Sequence, residues 1–287
     1  VTTVFWGTIW TSRTLLAREI HAAEDAERLD GVRRLFRFDA DAVGAEVPAY
    51  RAYVKKQVAK LGRNHPLIKT QYFLEEIDAE GGLCPDVRRA LMSGMHSRAH
   101  SPEPGKVYAA LLDVAGADED ADDSAVARDR EPRRDSTALT IVEVDLVTLG
   151  DDLLRAPTYR VVDRALWTDV KHSTLYGQIR ALVEHWNARY LVVDATGIGA
   201  GLASFLDKAL PGRVIPFIFT SKSKSDLGYG FLAVVDTGRF KDWAVVLDGR
   251  GDVRSQFDKE LGACEYAILP GTARMMRWGV PDGTRSK

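Results

Sequence analysis

Two hydrophobic periods divide this chain. From Val107 onward, short apolar runs bounded by turn residues predict strands at Val107–Asp113, Thr137–Val147, Tyr159–Thr168, Tyr190–Asp194 and Val214–Phe219. In the second run Leu139, Ile141, Val142, Val144 and Leu146 mostly alternate with other residues, as a strand with one buried face requires. A helical period marks Thr174–Asn187 through Leu175, Ile179, Leu182, Val183 and Trp186, and a second helix is predicted over Gly201–Leu210. Three strands, a helix, then strand and helix in alternation predict a mixed α/β sheet.

Before Val107 the pattern is more helical. Val1–Trp6 and Arg33–Phe38 read as short strands, and Leu15, Leu16, Glu19, Ile20 and Ala23 fall on a helical period behind a Ser12 or Thr14 cap. Pro48 opens a helix that Gly62 stops after Leu61, with Tyr50, Tyr53, Val54 and Val58 on one face. A short helix over Asp86–Met92 precedes Gly94–Gly105, rich in Gly, His, Ser and Pro, which is the natural linker. The division expected is 1–94, a linker over 95–106, and a second unit over 107–287. The opening VTTVFWGT, an apolar run without an initiating methionine, reads as the interior of a longer protein.

Composition narrows the class. The chain is 45% hydrophobic and 28% charged with a net charge of −2, so nucleic-acid binding would have to come from local basic patches. Cys84 and Cys264 have no metal or redox spacing and point to a reducing compartment. There is no apolar run long enough to cross a membrane and no signal-peptide pattern, which predicts a soluble cytoplasmic protein.

The chemistry concentrates where apolar strands end in carboxylates. Val107–Asp113 closes on Asp113 and runs into an acidic loop with Asp118, Glu119, Asp120, Asp122 and Asp123; Tyr190–Asp194 closes on Asp194 and runs into ATGIGAG. An acidic loop can simply be solvated, and an EF-hand is disfavoured because Asp123 stands where the sharp turn needs glycine. If the two strands are parallel neighbours, however, their ends meet at one sheet edge. Two adjacent carboxylates repel, and a magnesium or manganese pair would relieve that repulsion and supply phosphodiester hydrolysis. The glycine turn admits two other readings. One is a helix packed closely on a sheet; the other is a nucleotide or S-adenosylmethionine loop through Gly197, Gly199 and Gly201. A P-loop is excluded in these residues, since no Gly-Lys-Ser/Thr occurs.

The succession YAALLDVAGADED, YLVVDATGIGAGL, SKSKSDLGYGFLAVVDTGRFKDW and MMRWGVPDG resembles the large subunit of tailed-phage terminases over most of the chain. The resemblance implies a ribonuclease H-like mixed sheet flanked by helices, preceded by a small α/β remnant of a P-loop ATPase domain. It implies a two-metal endonuclease cutting concatemeric double-stranded DNA, with Asp113 and Asp194 as catalytic ligands and Asp118 or Asp120 as auxiliary metal ligands. FWGTIWTSRTLL resembles the end of the ATPase core, with Gly7 and Thr8 as its coupling motif. Magnesium or manganese would be the cofactor, and ATP would be used only by the full-length protein. Portal and small terminase subunit would be partners in the cytoplasm of a bacterial host, with no membrane involved.

The Walker segments are absent. The His-Asp-Asp type segment that carries the family's third carboxylate does not occur before Lys287. The expectation is a chain truncated at both ends that cuts poorly, with a non-catalytic DNA-binding or motor-assembly fragment as the alternative. Lys222 and Lys224, with Arg239 and Lys241, flank a predicted helix and are candidate phosphate contacts; on the same footing they, and Arg133 and Arg134, could be solvated charges.

Overall fold

The computed structural model describes residues 2–78, 80–114, 136–168, 170, 172–197, 199–244 and 253–281. Helices come first: α1 (Leu15–Asp30), α2 (Ala40–Glu46), α3 (Pro48–Leu61) and α4 (Pro66–Gln71). Their ends follow local chemistry. Thr14 caps α1 by accepting from the Ala17 N–H, Asp39 caps α2, Pro48 and Pro66 occupy first-turn positions, and Gly31 and Gly62 close α1 and α3 with positive φ.

The strands expected at 1–6 and 33–38 are not formed over the described residues 2–6 and 33–38, which lie outside any sheet. A strand exists only where a neighbour satisfies its backbone, and the apolar alternation here has no such partner: Trp6 is 92% and Phe38 71% exposed. This part of the chain is mainly helical. Its described links of sheet type are a bridge between Thr11 and Ile77, a bridge between Ser93 and Asp242, and one short strand, β1 (Glu80–Gly82).

Next come α5 (Asp86–Leu91), β2 (Tyr108–Asp113), β3 (Thr137–Asp145), β4 (Thr158–Trp167), α6 (His172–His185), β5 (Tyr190–Asp194) and α7 (Gly199–Ala209). The chain continues through β6 (Val214–Phe217), α8 (Ser221–Asp236), β7 (Phe240–Lys241), α9 (Val253–Gly262), β8 (Glu265–Ile268) and β9 (Met276–Gly279). The larger sheet has the order β6-β5-β2-β3-β4-β7, with β3 antiparallel to both its neighbours and the other pairs parallel. This is the mixed sheet that the strand and helix pattern predicts.

Alternation assigns its faces. Tyr108, Ala110 and Leu112 of β2, Leu139 and Ile141 of β3, and Leu191 and Val193 of β5 pack with Leu175, Ile179 and Val183 of α6, with Trp186 just beyond that helix, and with Leu202 and Leu206 of α7. Each such side chain fully withdrawn from water contributes about 1.5–3 kcal/mol, so this layer is the main source of stability. Consecutive Val161 and Val162 serve opposite faces by ordinary alternation, Val162 in this core and Val161 against Trp243 on the other side, and the register shift between Ile141 and Val142 leaves Val162 as the extra residue of β4.

A smaller sheet, β1-β8-β9, joins residues far apart in sequence: Glu80 pairs with Ala267, and Ile268 with Met276. Leu83 and Cys84 beside β1 pack with Leu232 of α8 and Met276 of β9. Gly228 is needed there, because a Cβ on it would lie 2.7 Å from the Trp278 ring. The helical N-terminal part meets α8 at several points. Arg88 grips Asp236 at 2.6 and 3.1 Å, and Gly62 lies where a Cβ would come within 2.8 Å of the Asp236 Cβ. His65, fully buried, donates from Nε2 to the Tyr229 carbonyl and accepts the Leu67 N–H on Nδ1, and burial pushes its pKa down.

Behind β4 lies a buried ionic group. Asp242, 1% exposed, receives Arg164 at 2.6 Å and Arg254 at 3.6 Å, while its Oδ1 accepts the Trp243 N–H. The Arg164 guanidinium also lies 4.1 Å over the Phe257 ring. One carboxylate thereby joins β4, the end of β7, α9 and, through the Met92 carbonyl that accepts the Asp242 N–H, the segment after α5.

Candidate metal centre

The register Ala109↔Tyr190 through Leu112↔Val193 puts Asp113 and Asp194, each one residue further on, side by side at the ends of neighbouring parallel strands. Neighbouring strands are about 4.8 Å apart, so the two Cβ atoms are close enough for their carboxylates to reach one cation. Leu112 and Val193 point into the core, so both aspartates point to the opposite face. Asp113 is exposed and Asp194 half-buried.

Asp194 is held locally. Its Oδ1 accepts the Thr196 N–H at 2.8 Å, the Thr196 Oγ1 accepts the Phe219 N–H at 2.9 Å, and the Phe217 carbonyl accepts the Ala195 N–H at 2.8 Å. Thus β6 and the lead into α8 brace the turn. Gly197 has φ 59°, and a Cβ on Gly199 would stand 2.1 Å from the Asp194 carbonyl oxygen. The glycine turn therefore brings α7 against the end of β5 at a distance no side chain tolerates. Gly199→Ala is expected to lose about 1–3 kcal/mol in urea unfolding through this overlap. It should also weaken any cation binding at Asp194, whereas Gly201→Ala, with open space around its Cβ position, should do neither.

One oxygen of Asp194 is occupied by Thr196, which leaves Oδ2 for a second partner; with the exposed Asp113 this is a hard, anionic, oxygen-only donor set. It fits a magnesium- or manganese-type ion that keeps part of its water. Among the described residues no group of three or more His, Cys, Asp or Glu side chains converges on a common point. Asp118 and Asp120, expected as auxiliary ligands, lie outside the described residues.

The four basic candidates divide. Helix α8 carries the chain from one edge strand, β6, to the other, β7, so its two ends lie at opposite edges of the sheet. Lys222, exposed and paired with Asp226 at 2.6 Å, and Lys224, 5.1 Å over the Trp278 ring, are at the Asp194 end. Arg239 and Lys241 are at the far end, beside Tyr159 and Arg160. Arg239 is 7% exposed and donates to the Thr237 Oγ1 and the Pro157 carbonyl, and Lys241 donates to the Leu91 carbonyl. Arg239 is therefore a structural arginine, contrary to the phosphate contact expected of it; burial lowers its pKa. Gly7 and Thr8 are exposed, in a stretch outside any helix or strand.

Sequence reasoning misses Thr196 and the capping pair Thr220 and Ser223 at the start of α8. The Asp-x-Thr spacing is a local turn signal, but the use of Thr196 by Phe219 depends on β6 pairing with β5.

Comparison with known proteins bears on the fold. The family model described as "Terminase RNaseH-like domain" matches residues 134–243, which include Asp194 and leave Asp113 outside. A probable terminase ATPase subunit of Haemophilus phage HP1 is 26% identical over 98 residues, 34% of this chain and 16% of that protein, so the match spans about one sixth of the relative's length. The large terminase of a thermophilic bacteriophage superposes with a TM-score of 0.50 at 11% identity, over 90% of this chain and 54% of that one. The large terminase nuclease of thermophilic phage G20c, a structure with bound magnesium, gives a TM-score of 0.47 at 13% identity over 70% and 89%. The six-stranded mixed sheet is ribonuclease H-like. Residues 134–243 accordingly match the terminase ribonuclease H-like domain family, and the sheet they belong to has that fold.

Proposed function

We propose that this chain carries the metal-dependent endonuclease of a DNA-packaging terminase and cuts concatemeric double-stranded DNA at the edge formed by Asp113 and Asp194. The observation that carries this is the parallel register ending in two adjacent aspartates, in a chain whose residues 134–243 match the terminase ribonuclease H-like domain.

Asp113 and Asp194 would hold one or two magnesium or manganese ions, with Asp118 or Asp120 as further ligands. A divalent cation held by this pair would offset their mutual repulsion and would supply an acidified water and stabilisation of the leaving oxygen. The protein's own work is positional. Thr196 fixes the Asp194 carboxylate, the Gly199 contact fixes the strand end, and Lys222 and Lys224 offer charge to phosphates at the same edge. Residues to about Gly94 are read as the remainder of the ATPase portion and its linker, with Gly7 and Thr8 coupling ATP hydrolysis to movement in the full-length protein. Portal and small subunit are the proposed partners, in the host cytoplasm. Among the described residues no helix is long and apolar enough to cross a membrane.

The glycine turn leading into α7 also fits a cofactor loop, and mass action separates the two readings. Manganese at about 100 times its Kd should stabilise the fold by about 2.7 kcal/mol and raise the melting temperature by several degrees, whereas S-adenosylmethionine and NAD should leave it unchanged. A shift with either cofactor and none with manganese would replace the nuclease reading with a cofactor-binding one.

A further inference from the structure

A cleft of about 500 Å³ opens between α4, the first half of α8 and the loop 269–275 that joins β8 to β9. Its polar lining includes Lys222, Asp226, Tyr229, Thr272 and Arg274. Arg274 is the unusual member. It is a non-glycine residue at φ 49°, in the left-handed region that arginine rarely adopts. Its carbonyl accepts the Tyr229 hydroxyl at 2.9 Å, and the next N–H but one, that of Met276, is donated to the buried Ser225 Oγ at 2.9 Å. The loop is thus latched to α8, which maintains the strained backbone; such strain is found where side-chain placement matters.

The side chain is positioned as well. The Arg274 guanidinium stacks 4.5 Å over the ring of Trp10, which is itself 4% exposed. Among the described residues it makes no carboxylate pair. A guanidinium held at an indole by cation–π attraction still offers its N–H donors, in a planar fork that matches two oxygens of a phosphate. Lys222 and Arg274 against Asp226 leave the cleft with one net positive charge, and the exposed Thr272 and Gln71 add neutral donors.

The cleft begins where the candidate metal centre ends. Lys222 is the second residue of α8, and Phe219, three residues earlier, is bonded to the Thr196 that holds Asp194. Positions 222–229 cover about 10 Å of helix, comparable to about three phosphate steps of one strand of B-DNA. We infer that this cleft is a backbone site for the DNA being cut, with Arg274 gripping a phosphodiester and Lys222 and Thr272 flanking it. The inference rests on the nuclease reading of Asp113 and Asp194 and adds a positioning residue outside the metal centre.

The test is fluorescence anisotropy with a labelled DNA duplex in EDTA, across a salt series, with melting temperatures taken in parallel. Arg274→Gln should weaken binding about 5- to 30-fold for any sequence and reduce the slope of log K against log salt by about one. Thr272→Glu, on an exposed loop position, should weaken binding similarly with an unchanged melting temperature, which keeps the test decisive if Arg274→Gln folds poorly. The manganese-induced rise in melting temperature should survive in both variants, since it reads Asp113 and Asp194. Parental affinity and slope in both variants, with the manganese effect intact, would overturn the cleft while leaving the nuclease reading in place. Loss of both duplex and manganese binding in the parent chain would overturn the two together. Competition by ATP, with duplex affinity unaltered in the variants, would make the cleft a nucleotide site and overturn the backbone assignment.

Discussion

Asparagine at Asp194 or Asp113 is expected to slow manganese-dependent plasmid cleavage by the full-length subunit about a hundred- to thousandfold, the usual loss when a group that stabilises developing charge is removed. The same substitutions should act in the opposite direction on stability. Two carboxylates at the ends of hydrogen-bonded neighbouring strands repel when no cation lies between them. For Asp194, which is half-buried, removing the charge should therefore raise the melting temperature in EDTA by about 1–4 °C and reduce the further rise that manganese produces. Loss of activity with loss of stability would indicate a structural aspartate, and unchanged cleavage would remove the pair from the chemistry altogether.

Asp242→Ala should destabilise the fold more than Gly199→Ala does, by about 3–5 kcal/mol in urea unfolding. The reason is the charge left behind rather than the bond removed. Arg164 and Arg254 are each 5% exposed, and without Asp242 two guanidinium groups would share a dry site with that carboxylate gone from between them. Replacing all three with apolar residues of similar volume should cost much less than the single change, and a triple variant as unstable as Asp242→Ala would show that packing dominates. Cleavage is a useful second reading, since Arg164 stands two strands away from Asp113 on the same face of the sheet, so the cluster supports the sheet without joining the β2 and β5 ends. Residual folded Asp242→Ala protein should still bind manganese.

Much of the candidate site is legible in the chain itself. Tyr190–Asp194 is an apolar run with a carboxylate at its end and glycines behind it, and local pattern suffices to define it. Pro48 and Gly62 likewise delimit α3 by their own backbone preferences. What the pattern does not reveal depends on remote partners. The small sheet leaves no sequence signal, because β1 has three residues and finds its register only against β8. Val4–Trp6 and Leu35–Phe38 carry the composition of strands but no neighbour to pair with among the described residues. Arg239 and Lys222 are indistinguishable as basic residues near a helix end; burial against Pro157 and Thr237 separates them, and burial is a tertiary property.

The pairing of β1 with β8 also sets an order of events during synthesis. Gly82 and its partner Glu265 are separated by 265 − 82 = 183 residues. At roughly 5–20 residues per second, the ribosome takes roughly 10–40 s to deliver the second strand after the first. For that interval Leu83 and Cys84 lack Met276, and for most of it Leu232, to cover them, and the edge of β1 remains open to any passing strand. The larger sheet is under no such delay, since β2 through β6 follow one another closely enough to assemble as they emerge. The larger sheet should therefore form first and the clasp around α8 last. A pulse-labelling experiment should find the amides of β5 protected before those of β8, and substitutions at Leu83 should lower the yield of folded protein more than they lower its final stability.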